Sequence, residues 1–233
     1  MSCIFEPGIF HTHMNPKGHI LNIFWSYLLL SLVVFTIFLV PLFPLSWHGH
    51  LYGIFYSLVF LCVAITADRN RKSFLYFAIL TTLLQWVSLV FNFSFLFGIS
   101  AIANLMFFTL GVVSVIRQIA GANDVTERVI LGSITGYLLV GLIFSMFVSL
   151  IMLFDPGAFN FPKINTNETL HISHLNEYIY FSFITLCTVG YGDVVPVEPY
   201  SRSLSVLISV AGQLYIAVVI ALLVGKYAAG RRS

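Results

Sequence analysis

Residues 185–193 read Thr185-Leu186-Cys187-Thr188-Val189-Gly190-Tyr191-Gly192-Asp193, after a short apolar stretch at 176–187 and before a long one at 204–227. The short stretch is helical in pattern but holds only about 12 residues. A spanning helix needs about 20, so this one predicts a re-entrant segment. The residues after Cys187 are glycine-rich and cannot continue it. Irregular backbone survives at membrane depth only where protein buries it or where it lines water. The stretch therefore predicts the wall of a water or ion path.

The order of residue types carries more. Gly190 and Gly192 alternate with Val189 and Tyr191. For carbonyls to point inward at successive positions, the backbone must visit conformations that glycine tolerates and other residues resist. Rings of such carbonyls from four chains can replace the hydration shell of a cation. Thr188 adds a hydroxyl oxygen at the inner end, and Tyr191 reads as an outward spacer that holds the ring open. The preceding helix aims its partly negative C-terminal end at the same centre, which favours a cation.

Outward from this stretch, the composition agrees. Of 233 residues, 59% are hydrophobic and 9% charged, against about a quarter charged in soluble domains. The net charge of +2 is too small to argue for nucleic acid, and none is expected as a partner. Six apolar runs are long enough to predict transmembrane helices, at 20–43, 51–67, 73–91, 99–119, 129–154 and 204–227, with a break expected at 92–98. The segment 1–19 carries Pro, Gly and His and reads as a cytoplasmic segment rather than a signal peptide. The chain divides into 1–19, a four-helix membrane domain at 20–124 and a pore-like half at 125–230.

Charge placement tests the layout independently. With the N-terminus inside, Lys17, Arg69, Arg71, Lys72, Arg117, Arg128, Lys226, Arg231 and Arg232 fall on the cytoplasmic side, and only Lys163 and Arg202 outside. That is the positive-inside bias, and an odd number of spans would break it. Both termini are then cytoplasmic. The outer loop 155–176 contains Asn167-Glu168-Thr169, a glycosylation pattern read here as an unmodified polar loop. Cys3, Cys62 and Cys187 are too scattered to predict an intrachain disulfide.

Residues from about 125 to 229 resemble the pore domain of the potassium channel superfamily, in the order outer helix, turret, pore helix, filter and inner helix. The resemblance covers nearly half the chain. It implies an all-α membrane protein, tetrameric around a central pore, with six transmembrane helices, a re-entrant pore helix and an extended selectivity filter. The filter would be Thr188, Val189, Gly190, Tyr191 and Gly192, with potassium coordinated by Thr188, Val189, Gly190 and Tyr191. Related nonselective cation channels carry Asp where Tyr191 stands, so the resemblance favours potassium. Asp193 would support the filter. The family often pairs this Asp with a Trp thirteen residues earlier; here that residue is Tyr180, whose hydroxyl can donate a hydrogen bond. Where some members carry a pore-helix Glu, this chain has Ile184, so slow changes in the filter are expected to differ. Gly212 matches the family's hinge glycine, although a glycine there also permits close helix packing. Gln213, polar at mid-membrane, is expected to face protein or cavity.

The first four spans depart from the voltage-gated branch of that family. The stretch from Phe74 to Ile116 has no charged residue, and neither has Ile20 to Ala67. Steep voltage gating needs several charges per subunit, each worth about 2.3 kcal/mol per 100 mV. Arg117 reads as a topology anchor and the four spans as a non-sensing scaffold, similar to short bacterial six-span channels. The pairs His11 and His13, His48 and His50, and His171 and His174 lack further ligands and read as exposed loop residues rather than metal sites. His171 and His174 would confer any sensitivity to external pH. The sequence ends about six residues past the last apolar run, which predicts no cytoplasmic nucleotide- or calcium-binding module. Lys226, Arg231 and Arg232 there read as anchors or as contacts to anionic lipid.

The expected function is a passive potassium channel subunit with little voltage gating, not an enzyme, in the plasma membrane or a bacterial inner membrane. Its expected partners are copies of itself and the bilayer. No cofactor is expected beyond potassium as the permeant ion. The competing readings are a non-conducting or modulatory subunit, a weakly selective cation channel, and a transporter, which would need four filter loops where this chain has one.

Overall fold

The computed structural model describes residues 16–66, 71–91, 94–122, 125–162 and 174–230. They form α1 (Pro16–Val34), α2 (Leu45–Thr66), α3 (Arg71–Phe91), α4 (Ser94–Gly121), α5 (Glu127–Phe154), β1 (Phe159–Asn160), α6 (Leu175–Leu186), β2 (Val195–Pro196) and α7 (Pro199–Gly230). Asn167, Lys163, His171, Arg69, Arg231, Arg232, Cys3, His11 and His13 lie outside the described residues.

The first apolar run ends as its prolines require. α1 passes into a π-helical stretch, Phe35–Leu39, and a 3-10 turn, Val40–Leu42. Pro41 has no N–H, and its ring crowds the carbonyl one turn earlier, so the ladder widens and stops. α2 then starts earlier than the expected 51, because the Pro44 carbonyl accepts the Trp47 N–H at 2.9 Å and opens the helix there. This corrects the reading of His48 as an exposed loop residue. It is 3% exposed within α2, and its Nε2 lies 2.8 Å from the Phe43 carbonyl oxygen. His174 is likewise buried, at the start of α6. The break expected at 92–98 is narrower, since α4 begins at Ser94 and carries Gly98 within it.

Among the described residues five stretches are long and apolar enough to cross a membrane: Phe24–Leu42, Ser46–Thr66, Gly98–Gly121, Glu127–Phe154 and Pro199–Ala228. α3, of 21 residues, is not among them. Its direction follows from contacts at its ends. Gln118, late in α4, donates to the Thr66 carbonyl that ends α2, at 3.1 Å. Asn104, in the first half of α4, donates to Gln85, late in α3, at 3.0 Å. α2 and α4 thus finish at one end of the bundle, and α3 runs back between them.

One buried cluster links the first four helices to α5 and α6. Val33 of α1, Tyr52 and Phe60 of α2, Phe107 and Phe108 of α4, Leu139 and Leu142 of α5 and Ile179 of α6 all belong to it. Its centre is aromatic: the Phe60 ring meets Phe107 at 5.4 Å and Phe108 at 5.2 Å, both edge-on. Edge-to-face pairs of this kind fill a core without polar groups. α5 packs against α1, α4, α6 and α7. Where it meets α6 and α7, glycines make the room. A Cβ on Gly141 would stand 2.3 Å from the Phe183 ring, and one on Gly136 would stand 2.4 Å from the Tyr215 hydroxyl. Small residues that admit a bulky neighbour are the usual packing device between membrane helices.

Candidate functional site

The stretch after α6 takes its shape from the end of that helix. Cys187 N–H donates to the Phe183 carbonyl at 2.9 Å, and Thr188 N–H to the Thr185 carbonyl at 3.0 Å. The Ile184 carbonyl then accepts from both Val189, at 2.8 Å, and Gly190, at 3.3 Å. These bonds satisfy carbonyls that a helix end leaves open and turn the chain away from the helix axis. Beyond them the backbone alternates. Thr188, Gly190 and Gly192 have φ of 58°, 54° and 81°, while Val189 and Tyr191 between them have none of the positive values. A backbone that turns left-handed at every second residue is able to bring successive carbonyls to one side. For glycine the positive φ is free. For Thr188, a β-branched residue, it is an outlier that the surrounding structure must hold in place, at a cost of about 1–3 kcal/mol.

The holding groups come from α7. Ser209 Oγ donates to the Thr185 carbonyl at 3.2 Å and shares its proton with Ser205 O at 3.1 Å. Gly212 comes so close to Leu186 that a Cβ there would stand 2.1 Å from the Leu186 carbonyl oxygen. Gln213 Nε2 lies 3.5 Å from the Thr188 hydroxyl, a long contact at the inner end of the stretch. Tyr215 donates to the Ser133 carbonyl at 2.8 Å and fixes α7 on α5. Tyr137 Oη lies 3.4 Å from Cys187 Sγ. None of Ser209, Tyr215 or Tyr137 was singled out from sequence, where a serine or tyrosine in an apolar helix gives no sign of what it faces.

The outer end is braced separately. Tyr180 Oη donates to Asp193 Oδ2 at 2.6 Å, and the other carboxylate oxygen accepts from Val194 N–H at 3.1 Å. β1 and β2 pair antiparallel, Phe159 opposite Pro196 and Asn160 opposite Val195, so the segment after α5 is tied to the segment after Asp193. Behind them, Phe159 packs edge-on against Phe181 at 5.1 Å and Phe161 against Tyr178 at 5.3 Å. Asp155 closes this frame. Its carboxylate accepts from the Tyr200 hydroxyl and, at 2.9 Å, from Gly157 N–H. Those two bonds, the Tyr200 one first, hold its carboxyl below the usual 3.8.

At the opposite end, Lys226 of α7 donates to the carbonyls of Ile119 and Ala120 at 2.8 and 3.0 Å. A cation on the open carbonyls of a helix C-terminus is favourable. It fastens the end of α7 to the end of α4, a role the sequence reading as a lipid or topology anchor did not contain.

The structure thus places Tyr180 and Asp193 in contact, Gly212 against the base of the Thr188–Gly192 stretch, and Val189 and Tyr191 in the open, at 52% and 73% exposure. Residues 135–228 match the family model described as Ion channel. Potassium voltage-gated channel subfamily A member 10 of Mus musculus and that of Homo sapiens are each 30% identical to this chain over 86 residues, 37% of this chain and 16% of theirs. The chain therefore spans a small part of the length of the curated relatives it matches. No solved structure gives a significant match. The second half of the chain is thus similar to ion channels, and with the long apolar helices this supports a multi-pass membrane protein.

Proposed function

We propose that four copies of this chain surround a central pore and conduct potassium passively, with Thr188, Val189, Gly190, Tyr191 and Gly192 of each copy forming the filter. The observation that carries the reading is the positive φ at alternate residues of Thr188–Gly192, a backbone able to turn successive carbonyls to one side, which is the chemistry a dehydrated cation needs. One chain supplies only one wall. Among the described residues, chain neighbours aside, no atom comes within 4 Å of where a Cβ on Gly190 or Gly192 would stand, so the open side has space for the other copies. The same holds for α7, whose Val206, Leu207, Val210 and Leu214 are exposed in a single chain. The permeant ion is the only ion or small molecule the reading requires, and no catalysis is part of it.

Six spans with both termini cytoplasmic belong to this proposal. The path of α3 back between α2 and α4 supports the sixth span, and the distribution of Lys and Arg supports the orientation. Only residues 122–126 connect α4 to α5, and α4 packs on α5 of the same chain, so each four-helix unit sits against its own pore half. Little voltage dependence is proposed because neither Ile20 to Ala67 nor Phe74 to Ile116 carries a charged residue, whereas steep gating needs several charges per subunit.

The test is purified protein in a planar bilayer, with potassium on one side, sodium on the other, and voltage stepped over a wide range. A reversal potential near that of potassium, with open probability nearly flat in voltage, is expected. Reversal near zero would mean a nonselective pore, and steep voltage dependence would sink the non-sensing reading. Silence at every voltage would favour a modulatory subunit that needs another channel.

Filter support by Tyr180 and Asp193 is a further part of the proposal. Tyr180→Phe removes one charge-assisted hydrogen bond at an exposed site, worth about 1 kcal/mol per subunit. Potassium selectivity should persist while flux into liposomes declines faster with time than in the parent. Unchanged time courses would mean that Asp193 is held adequately without the Tyr180 bond.

A further inference from the structure

Away from the filter, a pocket of about 60 Å³ opens where the four-helix bundle meets the pore half. Tyr56 of α2, Gln85 of α3, Ser100 and Asn104 of α4 and Ser149 of α5 give it polar walls, and Met146 and Leu175 give it apolar ones. Among the described residues no charged side chain lines it. Asn104 is 3% exposed, and its amide is half used: Nδ2 donates to Gln85 Oε1 at 3.0 Å, while the buried Oδ1 accepts nothing from the described residues. A buried acceptor left unmade costs about 1–3 kcal/mol, so the site favours an occupant that brings a donor. Without a counter-charge it penalises ions heavily. Its volume has room for a few water-sized groups.

We infer that this pocket is a binding site for a small uncharged alcohol, whose hydroxyl donates to Asn104 Oδ1 and whose short alkyl chain lies against Met146 and Leu175. The position gives the occupant a route to the filter. Leu175 is the first residue of α6, the helix that ends at the filter, and Met146 and Ser149 belong to α5, on which α6 packs. An occupant bridging α3, α4, α5 and α6 favours whichever arrangement of those helices keeps the pocket at its size, and so shifts the open population. The binding claim stands without ion conduction; only this last effect rests on the channel reading.

The experiment uses a butanol carrying a diazirine, photolysed with the purified full chain in detergent, and adducts mapped by mass spectrometry. A saturable adduct on residues 98–105 or 146–149, displaced by excess 1-butanol, is expected. Asn104→Leu removes the acceptor and should lower that adduct about ten-fold, the effect of losing one buried hydrogen bond. Met146→Phe, which fills the pocket from the other wall and keeps the Asn104–Gln85 bond, should do the same and serves if Asn104→Leu fails to fold. Folding of both is checked by gel filtration. Adducts confined to lipid-facing positions, or pocket adducts equally strong in both folded variants, would overturn the assignment, as would a pocket that holds water and gives no saturable adduct. Failure of the bilayer experiment alongside a saturable pocket adduct would count against the channel reading and leave the site intact.

Discussion

Gly190→Ala is expected to abolish potassium flux while the helices remain folded. Gly190 has a φ of 54°, where an L side chain pushes against the following carbonyl at about 1–2 kcal/mol per residue. In the proposed ring the same strain recurs in each of four copies, roughly 4–8 kcal/mol in all. Alanine escapes it by returning to negative φ, which turns the peptide plane and takes the carbonyl off the shared side. A ring that loses its oxygens no longer replaces the water shell of the ion, and the barrier to entry rises by far more than the strain avoided. Within the chain no neighbour stands in the way of a Cβ at Gly190, so the helices and their packing need not change. The measurement is potassium flux into liposomes beside gel filtration and circular dichroism of the same sample. Flux near background with an unaltered elution profile and helix content is the expected pair. Retained selective flux would overturn the assignment of this stretch as the filter.

How much of this was legible in the sequence depends on which physical effect was involved. The glycines at 190 and 192 could be read because left-handed backbone selects glycine, and the structure has positive φ at both. Thr188 shares that conformation at 58°, and nothing in a threonine announces it. Its conformation is imposed by the bonds that close α6 and by Ser209 of α7 on the neighbouring Thr185 carbonyl, which are tertiary effects. The apolar runs located the helices but misplaced their ends at 45 and 94, where a proline carbonyl in one case and continuity through Gly98 in the other set the start. Asn104 and Gln85, 19 positions apart and not singled out from sequence, are partners across α3 and α4. Lys226 reads from sequence as an anchor; its bonds to Ile119 and Ala120 depend on the ends of α4 and α7 meeting, which composition does not encode.

Gly212 is the residue at which two readings diverge, and its substitution should have the second large effect. A hinge glycine supplies backbone freedom; a packing glycine supplies space. The structure bears on space, since a Cβ would stand 2.1 Å from the Leu186 carbonyl oxygen and 3.0 Å from its carbonyl carbon. That oxygen belongs to the backbone at the end of α6, on a residue that is fully buried, and cannot turn aside as a side chain would. Gly212→Ala therefore has to push α7 off α6 by about 1 Å, an overpacking that costs about 1–3 kcal/mol per subunit and displaces the Ser209 bond with it. Lower thermal stability, weaker assembly and loss of flux are expected together. The double variant Ala211→Gly with Gly212→Ala separates the readings, because it returns a glycine to the bend one position away and leaves the obstruction in place. Recovery of flux in that variant would mean a hinge. Continued loss, together with failure of Leu186→Ala to rescue Gly212→Ala, would mean that the space beside the Leu186 backbone oxygen is what the glycine provides, since trimming the side chain leaves that oxygen where it was.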